Sequence, residues 1–325
     1  MKPPEVTALA SAVTKHLDAP VEIHDLHRRS GGASRETWSF DALEANGTRH
    51  ALVLRRDPGL HVGQSDRSTE YEVLAAVHAA RVLSPRPFAL LDTDDGLGAG
   101  FLMERVEGET IPRRILRDPE YATARSDLAR QAGAQAARIH AVDPAELPDL
   151  RVLGAHDQIV QYRELLDAFG VPHPSFELGL LWLAEHAPPT PSLPSLVHGD
   201  FRNGNFVVGT VGLRAVLDWE LAHLGDPAED LGWLCVRSWR FGAPGRAGGF
   251  GTVEQLLEGY EAGGTTAPDP GAVRYWEAFG TLKWGLICEA QAFTHLHGVV
   301  RSVELAALGR RVYEMEWDLL ELIDG

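Results

Sequence analysis

Residues 196–205 of the chain read LVHGDFRNGN, and residues 206–220 continue as FVVGTVGLRAVLDWE. Asp200, Asn205 and Asp218 are the side chains here whose types and spacing could do chemistry. Asn205 stands just before a strand-like run, and Asp218 just after the next one. If the two runs form a hairpin, the start of the first lies beside the end of the second. Asn205 and Asp218 then point to one place, and Asp200 hangs on the loop before them. Two carboxylates and an amide oxygen are hard donors that suit Mg²⁺. Phosphoryl transfer needs such a group, because its catalysis is mostly positioning plus electrostatic stabilisation of spread charge.

Plainer roles exist for each residue. His198 reads best as a satisfied core histidine holding the loop. Asp200 can cap a turn, Asn205 can sit in one, and Asp218 can end a strand. Glu220 either reaches a metal through water or caps the next segment. Asp226 and Asp230 lie in GDPAEDL, a turn leading to a helix, where Asp230 reads as an anchor for the catalytic loop. Arg202 faces either substrate or its own loop, and sequence does not separate the two.

The elements that must position these groups follow from periodicity. Residues 3–18 have amphipathic helical spacing. VEIHDLHRR, TWSFDALE and RHALVLRR alternate like strands, the last two joined by Asn46-Gly47, which predicts an antiparallel meander. Residues 66–80 place Tyr71, Leu74 and Val77 on one helical stripe. PRPFALLD and GAGFLMERVEG add two strands, so residues 20–106 read β-β-β-α-β-β. Beyond 107 the spacing predicts helices over 121–141, 157–169, 174–187, 252–262, 270–297 and 300–323, interrupted by a strand pair at 206–208 and 213–217. Residues 242–251, rich in Gly and Ala, read as a mobile surface loop. The expected fold class is α+β: a nucleotide-binding lobe at 1–106 and a helical lobe at 107–325 that carries the catalytic loop and substrate site.

Asp200 and Asn205 have the D-x-x-x-x-N spacing of the protein-kinase catalytic loop. HGDFRNGN followed by LDWE resembles the aminoglycoside phosphotransferase-like (choline kinase-like) family, which carries H-G-D-x-x-x-x-N and then I-D-[WF]. More closely, HGDFRNGN with AVLDWELAHLGDPAEDLGWLC is similar to the subfamily related to the kinase domains joined to some acyl-CoA dehydrogenases. The resemblance spans roughly residues 20–300. It implies a protein-kinase-like bilobal fold, ATP or another nucleoside triphosphate with Mg²⁺ as cofactors, Asp200 as catalytic base, and Asn205 and Asp218 as metal ligands. Ser30, Gly31, Gly32, Ala33 and Ser34 fall between the first two strands, where such folds cover the phosphates. Glycines there let backbone N–H groups approach phosphate oxygens, and no P-loop pattern is present. The family places a phosphate-binding cation on the third strand. No lysine is near, so Arg55 aligns with that role, with Arg56 as runner-up and Glu70 as its ion-pair partner. Glu104 and Val106 are expected to hold the adenine through main-chain groups.

The formal net charge of −16 is the wrong sign for a nucleic-acid backbone or an anionic membrane. Two cysteines outside any CxxC pair fit a reducing compartment, and the absence of a long apolar run predicts a cytoplasmic protein. The expected function is an ATP-dependent O-phosphotransferase acting on a small hydroxyl acceptor. The subfamily resemblance favours hydroxyacyl-type acceptors, with an aminoglycoside as a further possibility. A nucleotide-binding pseudokinase and a metal hydrolase using His198, Asp200, Asp218 and Glu220 are the competing classes. The aromatic stretch 275–284 reads as core first and as substrate wall second; it carries Lys283, the third and last lysine after Lys2 and Lys15.

Overall fold

The alternating segments of the first hundred residues form one twisted antiparallel sheet in the computed structural model, which describes residues 3–29, 36–57, 67–189 and 193–324. After helix α1 (Val6–Leu17) come β1 (Val21–Arg29), β2 (Glu36–Glu44), β3 (Arg49–Asp57), helix α2 (Arg67–Ala79), β4 (Pro87–Leu90) and β5 (Ala99–Glu104). The strand order is β1-β2-β3-β5-β4. Trp38, Phe40 and Ala42 of β2 share a face with Leu52 and Leu54 of β3, and this face buries Leu9, Ala12 and Val13 of α1. The opposite face carries Val53, Phe101 and Met103, which pack with Val73, Leu74 and Val77 of α2 and merge with the core of the rest of the chain. Each sheet face is therefore covered by a different partner, and strand parity decides which partner a residue meets.

The remainder is mostly helical: α3 (Pro112–Arg117), α4 (Ala122–His140), α5 (Ala155–Phe169) and α6 (Pro174–Glu185) precede the catalytic segment. That segment holds β6 (Ser195–Val197), β7 (Phe206–Gly209), β8 (Gly212–Val216) and β9 (His223–Gly225). β7 pairs with β8 as the expected hairpin, and β6 pairs with β9 in a second small sheet. α7 (Ala228–Cys235), α8 (Val253–Ala262), α9 (Pro270–Leu296), α10 (Val303–Gly309) and α11 (Val312–Asp324) complete the chain. α9 is the axis of this lobe. Tyr275, Trp276 and Phe279 on it are buried, so the aromatic stretch is chiefly core.

Two expectations need correction. Residues 300–323 are two helices, not one, and the break falls at residues 310–311. Gly309 approaches α9 so closely that an added Cβ would stand 2.4 Å from Ala292 Cβ, so α10 docks on α9 and the chain turns before α11. Residues 242–251 are not a loose loop. Ala247 is fully buried in the main core, Gly245 and Ala247 bridge to Gly249 and Gly251, and Asn203 Nδ2 donates to Gly248 O at 2.8 Å. The glycines serve tight backbone packing here.

Candidate active site

β6 ends at Val197 and β7 begins at Phe206, so residues 198–205 form a loop between two short strands. Gly199 adopts φ +80°, and a Cβ on it would lie 2.4 Å from Leu221 O; only glycine fits between His198 and Asp200. Asp230, in the first turn of α7, is fully buried beneath this loop. Its two oxygens accept from His198 N–H at 2.8 Å and Gly199 N–H at 3.0 Å. His140 Nε2 reaches the same carboxylate at 3.0 Å, and its other ring nitrogen meets the Tyr260 hydroxyl at 2.9 Å. Burial alone would push the Asp230 carboxyl up. The hydrogen bonds and charge of His140 and the loop amides override this and leave it below the ordinary range.

His198 is a structural pin. Its Nδ1 accepts from Asp200 N–H at 3.1 Å, so Nε2 donates to Leu217 O at 3.0 Å. Both ring nitrogens are thereby spent, which leaves no lone pair for a metal. Among the described residues, no group of three or more His, Cys, Asp or Glu could form a metal cage. The use of both His198 nitrogens counts against the hydrolase reading.

Asp200, Asn205 and Asp218 come together as the hairpin predicted. Asn205 Nδ2 donates to Asp200 Oδ2 at 2.6 Å, and Leu217 N–H donates to Asn205 O at 2.8 Å. Asp218 follows directly, in the left-handed region at φ +73°. From the sheet, Arg55 Nη2 donates to Asp218 Oδ1 at 2.8 Å and lies 3.3 Å from Glu220 Oε2, while its Nη1 sits 3.2 Å from Glu70 Oε1. Burial would raise the Asp218 carboxyl, but the Arg55 guanidinium holds it below the usual range, so it stays anionic. Arg56, one residue on, faces the α1 side and pairs with buried Glu36 at 2.8 Å. Of the two arginines, Arg55 is the one in the cleft.

Glu70 is buried, and Arg67 also pairs with it. Glu104 N–H is engaged by Arg86 O at 2.9 Å, which leaves its carbonyl and the Val106 amide as the groups a nucleobase could meet. Ser30, Gly31, Gly32, Ala33 and Ser34 lie outside the described residues. Arg202 holds its own loop: its Nε donates to Asp200 Oδ1 at 2.8 Å and its guanidinium stacks 4.5 Å above Trp239.

Sequence reasoning missed two contacts. Trp233 Nε1 donates to Asp200 Oδ1 at 2.8 Å. Lys283 Nζ, buried on α9, donates to Gly199 O at 3.2 Å. A signal for the first existed, because Trp233 lies three residues after Asp230 on one helical face. Beside the loop, a cavity of about 720 Å³ extends from Thr69 on α2 past Glu220 to Gln158 and Tyr162 on α5 and Lys283 and Ile287 on α9.

A sheet lobe that presents a cation, above a loop that presents an aspartate, an asparagine and a second aspartate, defines a kinase-like phosphotransferase. The phosphotransferase enzyme family model matches residues 25–276, and the chain belongs to that family. The family is one of phosphotransferase enzymes. Acyl-CoA dehydrogenase family member 11 of Gallus gallus is 29% identical over 66% of this chain and 28% of that protein. Acyl-CoA dehydrogenase family member 10 of Mus musculus is 29% identical over 62% and 20%. The chain thus matches less than a third of the length of these relatives. Among solved structures, a Ralstonia eutropha JMP134 chain superposes with TM-score 0.74 at 21% identity, covering 99% of this chain and 98% of that one. Spectinomycin phosphotransferase, solved with ADP and spectinomycin, gives 0.67 at 14% identity over 99% and 100%. These likenesses establish the kinase-like fold. No helix among the described residues is long and apolar enough to cross a membrane.

Proposed function

We propose that this phosphotransferase transfers the γ-phosphoryl group of ATP to the hydroxyl of a small hydroxyacyl-type acceptor in the cytoplasm. Residues 1–106 form the nucleotide-binding lobe, and residues 107–325 carry the base and the acceptor site. The observation that supports this most is the convergence on one point of Asn205 and Asp200, 2.6 Å apart, and of Asp218 under Arg55 at 2.8 Å.

Asp200 takes the acceptor hydroxyl proton as the oxygen attacks the γ-phosphorus, and the bond to the β-phosphate oxygen breaks to release ADP. Arg55 supplies a charge for the α- and β-phosphates in a form suited to bidentate contact, and Glu70 orients it. Ser30–Ser34 are assigned to the phosphates, and main-chain groups at Glu104 and Val106 to the adenine. The donor chemistry of Asn205 and Asp218 fits Mg²⁺: both offer hard oxygen, Asp218 is held anionic, and Mg²⁺ takes only one or two protein carboxylates beside substrate phosphates. Held by Asn205 and Asp218, Mg²⁺ would supply charge neutralisation at the phosphate oxygens.

For the acceptor, the cavity beside the loop mixes Leu150, Leu165 and Ile287 with Arg151 and Lys283. Asp149 and Glu220 balance those two cations, so charge does not select the acceptor, but the aliphatic wall suits an acyl chain. The acyl-CoA dehydrogenase relatives point the same way by analogy. Calorimetry with ATP·Mg²⁺ tests the metal assignment. Asp218→Asn should lose Mg²⁺-dependent binding while keeping its melting temperature, and unchanged affinity would overturn it. Screening ATP·Mg²⁺ with hydroxy acids, their CoA thioesters, aminoglycosides and choline-like alcohols tests the acceptor; turnover confined to aminoglycosides would reject the hydroxyacyl class.

A further inference from the structure

The chain uses arginine almost everywhere a cation is needed, yet at position 283 it buries a lysine in the middle of α9. Burying an ammonium is costly unless it is paired and hydrogen-bonded. Its carboxylate neighbour Glu229 is 3.7 Å away, beyond a good hydrogen bond. The closer partner is a main-chain oxygen, Gly199 O at 3.2 Å, in the residue just before Asp200. The same ammonium sits 4.8 Å above the indole of Trp233, and that indole N–H donates to Asp200 Oδ1 at 2.8 Å. One charge therefore touches the catalytic loop twice: directly through its backbone, and through the ring that holds the aspartate. A compact ammonium can serve a carbonyl and a ring face from one point, which a planar guanidinium fork cannot do equally well.

The division of labour on Asp200 follows. Oδ1 accepts from Trp233 and from Arg202, both at 2.8 Å. Oδ2 faces Asn205 and the centre of the site. Fixing Oδ1 sets the plane of the carboxylate and aims Oδ2. A general base must be held within a fraction of an ångström of its productive geometry to be effective. Burial would weaken the charge on Lys283, but Tyr162, Glu229, Asp200 and Asp230 around it favour the charged form more strongly.

We propose that Trp233 and Lys283 are positioning residues that together clamp the Asp200 carboxylate in the orientation that receives the acceptor proton. This rests on Asp200 being the base. Neither side chain touches the phosphates in this reading, so the clamp should act on turnover and not on nucleotide affinity.

The test uses the full chain with ATP·Mg²⁺ and water as acceptor, and it follows ADP release and the indole N–H resonances by NMR. Trp233→Phe keeps an aromatic face and removes the donor together with the volume of the second ring, so its melting temperature is measured alongside. It should lower kcat about ten- to hundredfold, the range for a lost hydrogen bond to a charged group, with KM for ATP unchanged. Lys283→Met should do the same and move the Trp233 indole proton upfield; Lys283→Arg should restore part of the loss. Should Lys283→Met fail to fold, Trp233→Phe decides alone, because it leaves every buried charge in place. An inactive Asp200→Asn beside a Trp233→Phe of wild-type kcat would overturn the clamp while the base assignment stands. Wild-type turnover in Asp200→Asn would remove the base assignment and the clamp with it. Where turnover with water is too slow to read, a Trp233 indole resonance indifferent to both Asp200→Asn and Lys283→Met would overturn the proposal.

Discussion

Arg55 and Asp200 face one cleft from opposite lobes, and the fold holds them differently. Arg55 is restrained by charges that are themselves candidates for other partners: Asp218 and Glu220 across the cleft, and Glu70, which Arg67 also engages. Its position is a balance of attractions that an arriving polyanion can redistribute. Asn205 apart, Asp200 is fixed by groups that hold no nucleotide. Its amide rests on His198, its carboxylate on Trp233 and Arg202, and the preceding backbone on Asp230 and Lys283. The difference teaches where rigidity is useful. A proton acceptor gains from preorganisation, while a phosphate-binding cation must exchange one set of anions for another.

The sharpest way to break this comparison is Asp200→Ala. It should reduce turnover by roughly 10²–10⁴-fold, the usual range for a positioned general base, with ATP affinity nearly unchanged. An active Asp200→Ala protein in a steady-state assay would show that the rigid side of the cleft holds nothing of catalytic use.

A second test sets neighbours on β3 against each other. Arg56→Ala takes the charge partner from Glu36, which is 1% exposed and left with the Trp38 indole N–H, so it should destabilise by about 3–5 kcal/mol, as loss of one member of a buried pair does. Arg55→Ala should instead weaken ATP binding about ten- to hundredfold, and Arg55→Lys should recover only part of that. Urea denaturation and calorimetry on both variants should give this crossed pattern; weaker ATP binding in Arg56→Ala alone would place the cleft on the other sheet face.

The smallest expected effect is a pH dependence of the rigid side. The Asp230 carboxyl lies below its ordinary 3.8 in the folded protein, the penalty of burial being outweighed by His140 and the loop amides. Its stabilisation is therefore present above 3.8 and lost as pH falls through the depressed folded value. The urea midpoint should fall over that acidic window in the parent chain, and less steeply in Asp230→Asn. Equal slopes would mean that Asp230 is not the acid-sensitive anchor.

Much of the candidate site could be read locally. The five-residue step from Asp200 to Asn205, and a hairpin that returns Asp218 beside Asn205, are matters of short-range geometry. Strand alternation required Arg55 and Arg56 to part company. It could not choose between them, because that choice depends on which distant elements cover each sheet face: α1 on one, α2 and the helical lobe on the other. The same holds for the break at residues 310–311, set by contact with α9, and for residues 242–251, whose glycines suggested motion until the core beneath them was seen. Lys283 approaches the catalytic loop across 84 residues of sequence and Trp233 across 33. Spacing and periodicity report only on neighbours along the chain. Such pairings are decided when helices pack, because only packing removes the alternative partner, water.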